Sequence, residues 1–277
     1  MMAHLTTMFS IVVFIPVIAV IYLTITKKLR VKPIICGILS YGLMAILTEI
    51  VLTLINLALG GFIAKNAFLT IGLWGILSPL AAVLIMIYIY KRILSDDLCF
   101  KDSLGTGLGL GSAWLIMTVG TTLFFSMVMS MTLAEGGFET ETAEMTADAI
   151  EAFNEAKANF ESKSLLDYIL LTAGGISLAV VTAAVSVLTF EYTKKSDKKM
   201  LFAALGWEIA VFVPFLLATN GGFVNIFVQA FMVLLAAGAV WYMIRESKKY
   251  PSVEAVSFER PSPLAGRDFT KRIKKRK

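Results

Sequence analysis

Histidine is almost absent from this chain. His4 is the only one in 277 residues, and it precedes the first long apolar run. A catalytic zinc site takes three nitrogen, sulfur or oxygen ligands, usually with histidine among them. Ser-His-Asp or Cys-His catalysis needs an imidazole beside the nucleophile. The apolar runs supply neither. Cysteine is nearly as scarce, with Cys36 and Cys99 alone, which excludes a disulfide framework as the source of the fold. Charge is thin too. At 16% charged against 57% apolar residues, the chain is too apolar for an ordinary soluble domain. No cofactor and no nucleic-acid partner are expected.

Apolar length fills the chain instead. A helix needs about 20 apolar residues to cross a hydrocarbon core about 30 Å thick, and spans are predicted near 7–26, 33–58, 67–90, 103–133, 166–190, 200–219 and 224–244. Pro214 is expected to interrupt the sixth, where Glu208 sits near the middle. The fold class is all-α: a polytopic bundle of about seven transmembrane helices over 1–250, followed by a basic tail over 251–277. Cytoplasmic loops carry the excess of lysine and arginine. Lys27, Lys28, Arg30 and Lys32, then Lys91, Arg92 and Lys101, then Lys194, Lys195, Lys198 and Lys199 fall in alternate gaps, on the side of the tail. The N-terminus is therefore expected outside and the C-terminus in the cytoplasm of a multi-pass cell-membrane protein, with Cys36 and Cys99 near the cytoplasmic side. A cleaved signal peptide would carry positive charge before its apolar run, whereas here it follows.

Two segments lie outside the predicted spans. Residues 134–163, on the expected outer face, hold eight acidic residues against Lys157 and Lys163, a local net charge of −6. Met145, Ala149, Phe153, Ala156 and Phe160 recur at steps of three or four, which predicts an amphipathic helix. Its acidity suits the outer mouth of the bundle or a partner better than anionic headgroups, which recruit basic faces. The tail ends in Lys271, Arg272, Lys274, Lys275, Arg276 and Lys277, a cluster that anionic lipid attracts at about 1 kcal/mol per charge near the surface. No internal repeat of the inverted-repeat transporter kind is present.

Ionisable groups at membrane depth are costly and mark functional positions. Glu49 and Glu208 are the two here, with Asn56, Asn225 and Gln229 as polar neighbours; a purely structural role for either glutamate is a hydrogen bond across a helix interface. The fourth span opens Ser103-Leu104-Gly105-Thr106-Gly107-Leu108-Gly109-Leu110-Gly111-Ser112-Ala113-Trp114. Gly105 with Gly109, and Gly107 with Gly111, form two overlapping four-residue spacings that let helix backbones approach closely. No strand precedes the stretch and no Gly-Lys-Ser/Thr follows it, so it is not a nucleotide loop.

The run from Gly107 to Trp114 resembles the Gly-x-Gly-His-Gly-Gly-x-Glu stretch that opens a membrane helix in the YhfC-type intramembrane metalloprotease family, distant relatives of the CAAX-processing and bacteriocin-processing membrane proteases. In that resemblance Leu110 stands at the histidine position and Trp114 at the glutamate. The family's Gly-x-x-Glu-Glu-x-x-Arg pattern is similar to the run from Gly75, with Ser78 and Pro79 at the glutamates and Ala82 at the arginine. The later histidine falls near Trp207 or Glu208. The resemblance extends from the first span to the sixth, and implies a peptidase-like membrane fold without catalytic residues, metal ligands or cofactor. Gly107, Gly109, Gly111, Trp114, Glu208 and Glu49 then become candidates for a groove or partner face. Such a groove would hold a hydrophobic or lipidated peptide segment, or a partner membrane protein, without cutting it. Two other expectations stand beside this one: a proton-coupled small-molecule carrier in which Glu49 or Glu208 takes up the proton, and an accessory subunit that meets a partner through the glycine face and the acidic helix.

Overall fold

The computed structural model describes residues 2–26, 28–95, 98–134, 147–220 and 226–250, and among them no strand occurs. The helices are α1 (Met2–Ile25), α2 (Val31–Ala58), α3 (Ala67–Tyr88), α4 (Phe100–Leu115), α5 (Thr121–Ala134), α6 (Ala147–Glu161), α7 (Leu165–Lys195), α8 (Lys198–Asn220) and α9 (Ile226–Ser247). A π-helical turn at Ile89–Ile93 extends α3, and another at Ile116–Gly120 joins α4 to α5. With α4 and α5 counted as one span, 7 helical segments are long and apolar enough to cross a membrane. The protein is a polytopic membrane helix bundle. The tail 251–277, the acidic residues 135–146 with Met145, and Asn225 lie outside the described residues.

Two boundaries differ from the sequence reading for local reasons. The first helix starts at Met2 rather than near residue 7. Its early hydroxyls do not disrupt it, because Thr6, Thr7 and Ser10 each donate to the carbonyl four residues back, a bond that hides polarity on the helix itself. The sixth span is not interrupted: α8 runs through Pro214, as α1 runs through Pro16 and α3 through Pro79. Membrane helices tolerate proline because an unwound backbone has no water to satisfy it and neighbouring helices hold the segment.

Alternation of the seven spans gives the bundle two ends. The N-terminal face carries Met2 with the α2–α3, α5–α7 and α8–α9 connections, and the C-terminal face carries the rest. Helix α7 is the axis, with 67% of its most apolar window buried against 6% for α1. It packs on α4, α8 and α9, while α2 packs on α4 and α3, and α1 leans on α5. Large side chains such as Phe14, Ile18, Phe227 and Leu234 are exposed on the peripheral helices, as a bilayer solvent allows.

The glycines of α4 explain this order. Residues two apart on a helix point about 200° apart, so the two glycine pairs occupy opposite faces. A Cβ on Gly105 would come within 3.3 Å of the Pro33 side chain, and one on Gly109 would collide with the Ile34 carbonyl oxygen, both on α2. On the other face, a Cβ on Gly107 would come within 2.7 Å of the Ala183 Cα, and one on Gly111 within 2.7 Å of the Ala179 carbonyl oxygen, both on α7. Gly37 of α2 answers from its side, where a Cβ would collide with the Thr106 carbonyl oxygen. Helix α4 is therefore clamped between two backbones.

Charge at the C-terminal face is satisfied locally. Arg30 Nε donates to Asp102 Oδ1 at 2.7 Å, and Arg30 Nη2 pairs with Oδ2. The same carboxylate accepts the Cys99 backbone N–H at 3.0 Å, which closes the start of α4. Both cysteines are free thiols.

The clamp predicts a split among glycine variants. Gly107→Ala and Gly109→Ala should each destabilise the bundle by about 1–3 kcal/mol, the usual range for overpacking. Gly206→Ala, where a Cβ meets nothing within 4 Å, should leave stability unchanged or raise it by about 0.4–1 kcal/mol. Thermal melting of the three variants in the same lipid checks this, and a Gly107→Ala protein that melts with the wild type would refute the clamp.

Candidate functional site

A cavity of about 710 Å³ opens near the N-terminal face between α2, α3, α4–α5, α7 and α8. Its position follows from where the clamp ends. Past Gly111 the residues of the fourth span that reach the cavity are Trp114, Thr118 and Thr122, at steps of four. A regular α-helix would rotate such a series by about 40° per step, but the wider π turn at Ile116–Gly120 takes up part of that drift and keeps the three on one wall.

Trp114 and α8 build the apolar wall. The Trp114 ring meets Phe212 and Phe215 edge-on, with centroids 5.3 and 4.7 Å apart, and Phe212 in turn stacks on Trp74 of α3 at 6.0 Å. Across the cavity the Trp74 indole Nε1 donates to Glu49 Oε1 at 2.8 Å. Glu49 is exposed and lines the cavity, so its carboxyl is fixed in direction without being sealed away. Ile71, Leu171 and Leu216 add apolar surface, and Thr70 and Thr219 add hydroxyls.

Lys163, Asp167 and Tyr168 supply the wall on the α7 side. Asp167 belongs to the cap of α7, accepting the Ser164 N–H at 2.7 Å and the Ser164 hydroxyl at 2.8 Å. Lys163 lies just before that cap; burial pulls its pKa below the ordinary lysine value, and the Asp167 charge opposes the shift. Tyr168 is 1% exposed and lines the cavity, with its hydroxyl near Ser126.

The six sequence candidates separate into three groups. Glu49 and Trp114 come together on the cavity. Gly107, Gly109 and Gly111 are buried in the α2–α4–α7 contacts and are not among the residues lining this cavity. Glu208 is 3% exposed on α8 and accepts the Thr182 hydroxyl of α7 at 2.8 Å, with no partner for Oε2 among the described residues. It is not among the residues lining the cavity. Trp74, Tyr168, Thr118, Thr122 and Lys163 escaped the sequence reading. Scattered hydroxyls and aromatics in apolar helices carry no pattern, and Trp74 could have been found only by asking what satisfies Glu49. Of the other polar positions, Asn56 accepts the Ala64 N–H at 2.9 Å and pins the turn in which Gly60 and Gly61 take positive φ. Gln229 is buried against Gly174 with neither amide atom bonded among the described residues.

No imidazole lines the cavity, and among the described residues no group of three or more His, Cys, Asp and Glu side chains could hold a metal ion. No protein-family model, curated protein or solved structure matches the chain.

Glu208 makes a separate test of interior packing. Glu208→Gln retains an acceptor for Thr182 and should keep the fold, whereas Glu208→Lys puts an ammonium where about 2.5–3.5 kcal/mol opposes insertion of a charge and should prevent accumulation of folded protein. Equal yields of monodisperse protein from both variants would contradict the interior placement.

Proposed function

We propose that the chain is a non-cleaving binding protein of the membrane whose cavity holds the apolar end of a ligand, a hydrophobic or lipidated peptide segment. The observation that carries this reading is the meeting of Glu49 and Trp114, far apart in sequence, on one cavity of about 710 Å³. Small-ligand sites commonly enclose about 300–1,000 Å³, mostly apolar, with a few placed polar groups. A short segment or an acyl chain suits that volume, whereas a whole transmembrane helix, about 10 Å across and 30 Å long, does not. The resemblance to the YhfC-type family supports the same reading: Trp114, at the family's glutamate position, is a cavity wall where catalysis would need a carboxylate. The carrier alternative, in which Glu49 or Glu208 takes up a proton, draws no support from Glu208, which bonds Thr182 away from the cavity.

Trp114 is also core, 4% exposed between Phe212 and Phe215, so Trp114→Ala should lower stability by about 3–5 kcal/mol by analogy with soluble cores. Binding adds a second effect: photocrosslinking of an apolar peptide, counted per folded molecule, should fall as well. Crosslinking that tracks folded protein and nothing else would assign Trp114 to packing alone. The non-cleaving part has its own check. After a chelator wash, purified protein should hold far less than one transition-metal ion per chain, and stoichiometric zinc surviving that wash would refute it.

A further inference from the structure

We propose that the ligand held in this cavity is an amphipathic organic cation, with an ammonium group at Glu49 and its apolar body against Trp114 and Leu216. The inference rests on the cavity being the binding site and adds the charge and polarity of what enters it.

Charge comes first. Three ionisable groups of acid or base type line the cavity, Glu49, Asp167 and Lys163, and two of them lie beside each other. Asp167 is engaged by Ser164 and stands beside Lys163, which leaves Glu49 as the unbalanced charge. Its one bond to a side chain is the neutral Trp74 indole, and no ion pair to it exists among the described residues. A carboxylate oriented by a neutral donor and open to a cavity is arranged to receive a cation.

The surroundings favour the same sign. Trp74 and Trp114 present aromatic rings, whose quadrupoles attract ammonium groups. The hydroxyls of Tyr168, Thr118 and Thr122 on the cavity wall offer acceptors for ammonium protons.

The test uses the full chain in nanodiscs of zwitterionic lipid, titrated with octylammonium, octanol and octanoate, with empty discs subtracted. Octylammonium should bind about tenfold or more tighter than octanol, a ratio equivalent to roughly 1.4 kcal/mol, and octanoate should bind most weakly. Glu49→Gln should bring octylammonium down to the octanol level while octanol still binds, which also shows that the variant is folded. Trp74→Phe, which removes the indole donor and leaves Glu49, should lose part of the preference. If octanoate binds most tightly and loses its advantage in Lys163→Gln, the cavity stands as a site and the cation assignment is overturned. The same holds if Glu49→Gln keeps the full octylammonium preference. If none of the three probes binds above empty discs, the cavity reading itself fails. An apolar tripeptide with a free amino terminus, compared with its N-acetylated form, separates the sources: a tenfold preference for the free terminus places the ammonium on a peptide, and equal binding places it on a small amine.

Discussion

The double-sided backbone clamp on α4 is the contact from which the rest of the bundle takes its geometry. In lipid the hydrophobic effect does not pull helices together, so close packing and hydrogen bonds must do it. Four glycines at 105, 107, 109 and 111 let α4 lie against α2 on one face and α7 on the other. Once α2 and α7 are fixed on either side of α4, the remaining helices have few places to go. Helix α8 packs along α7 and reaches α3, α3 closes back onto α2, and α9 fills the far side of α7. There Gly174 makes room for the Gln229 side chain.

The same clamp explains why the cavity lies at one end. Glycine brings helices together only where it occurs, and on the α2–α7 faces of α4 the series stops at Gly111. Trp114 is the next large residue toward the N-terminal face, and the π turn follows it. The bulk of Trp114 cannot be accommodated by a helix at glycine distance; α8 accommodates it with Phe212 and Phe215, and the space between α2 and α7 opens beyond it. Packing and cavity are thus two consequences of one short stretch, tight where it is glycine and open where it becomes tryptophan and threonine.

That relation also shows how far the sequence could be read. The spans were legible because transfer into lipid depends on local composition, and the close-approach role of the glycines because their spacing matches the helix. Gly107, Gly109 and Gly111 were grouped with Trp114 as one face, and spacing alone could not show that Gly107 and Gly111 turn to α7 while Gly109 turns to α2. Pro214 misled because a proline is a break in water and a tolerated irregularity in a membrane helix. The Trp74–Glu49 bond was invisible, since it joins two helices with no periodic signal linking them. The burial of Glu208 followed from the cost of a carboxyl facing lipid, but its partner Thr182, 26 residues away, did not.

The two ends of the bundle differ in how their polar groups are satisfied, and that contrast bears on function more than any single residue. At the C-terminal face, Asp102 is matched by Arg30, and Glu191 by Lys195 and the Tyr250 hydroxyl. That hydroxyl is pushed up to about 12 by burial and by the Glu191 carboxylate it bonds, so it remains a donor at physiological pH. Phe100 and Phe190 pack on its ring, with Lys194 lying over the Phe190 ring 4.8 Å from its centroid. At the N-terminal face, Glu49 has a neutral donor and an open side. Unpartnered polar atoms also occur among the described residues away from the cavity, at Glu208 Oε2 and the Gln229 amide, so an open polar group does not by itself mark a site. What sets Glu49 apart is that its open side faces a cavity that Trp114 and Leu216 line from other helices.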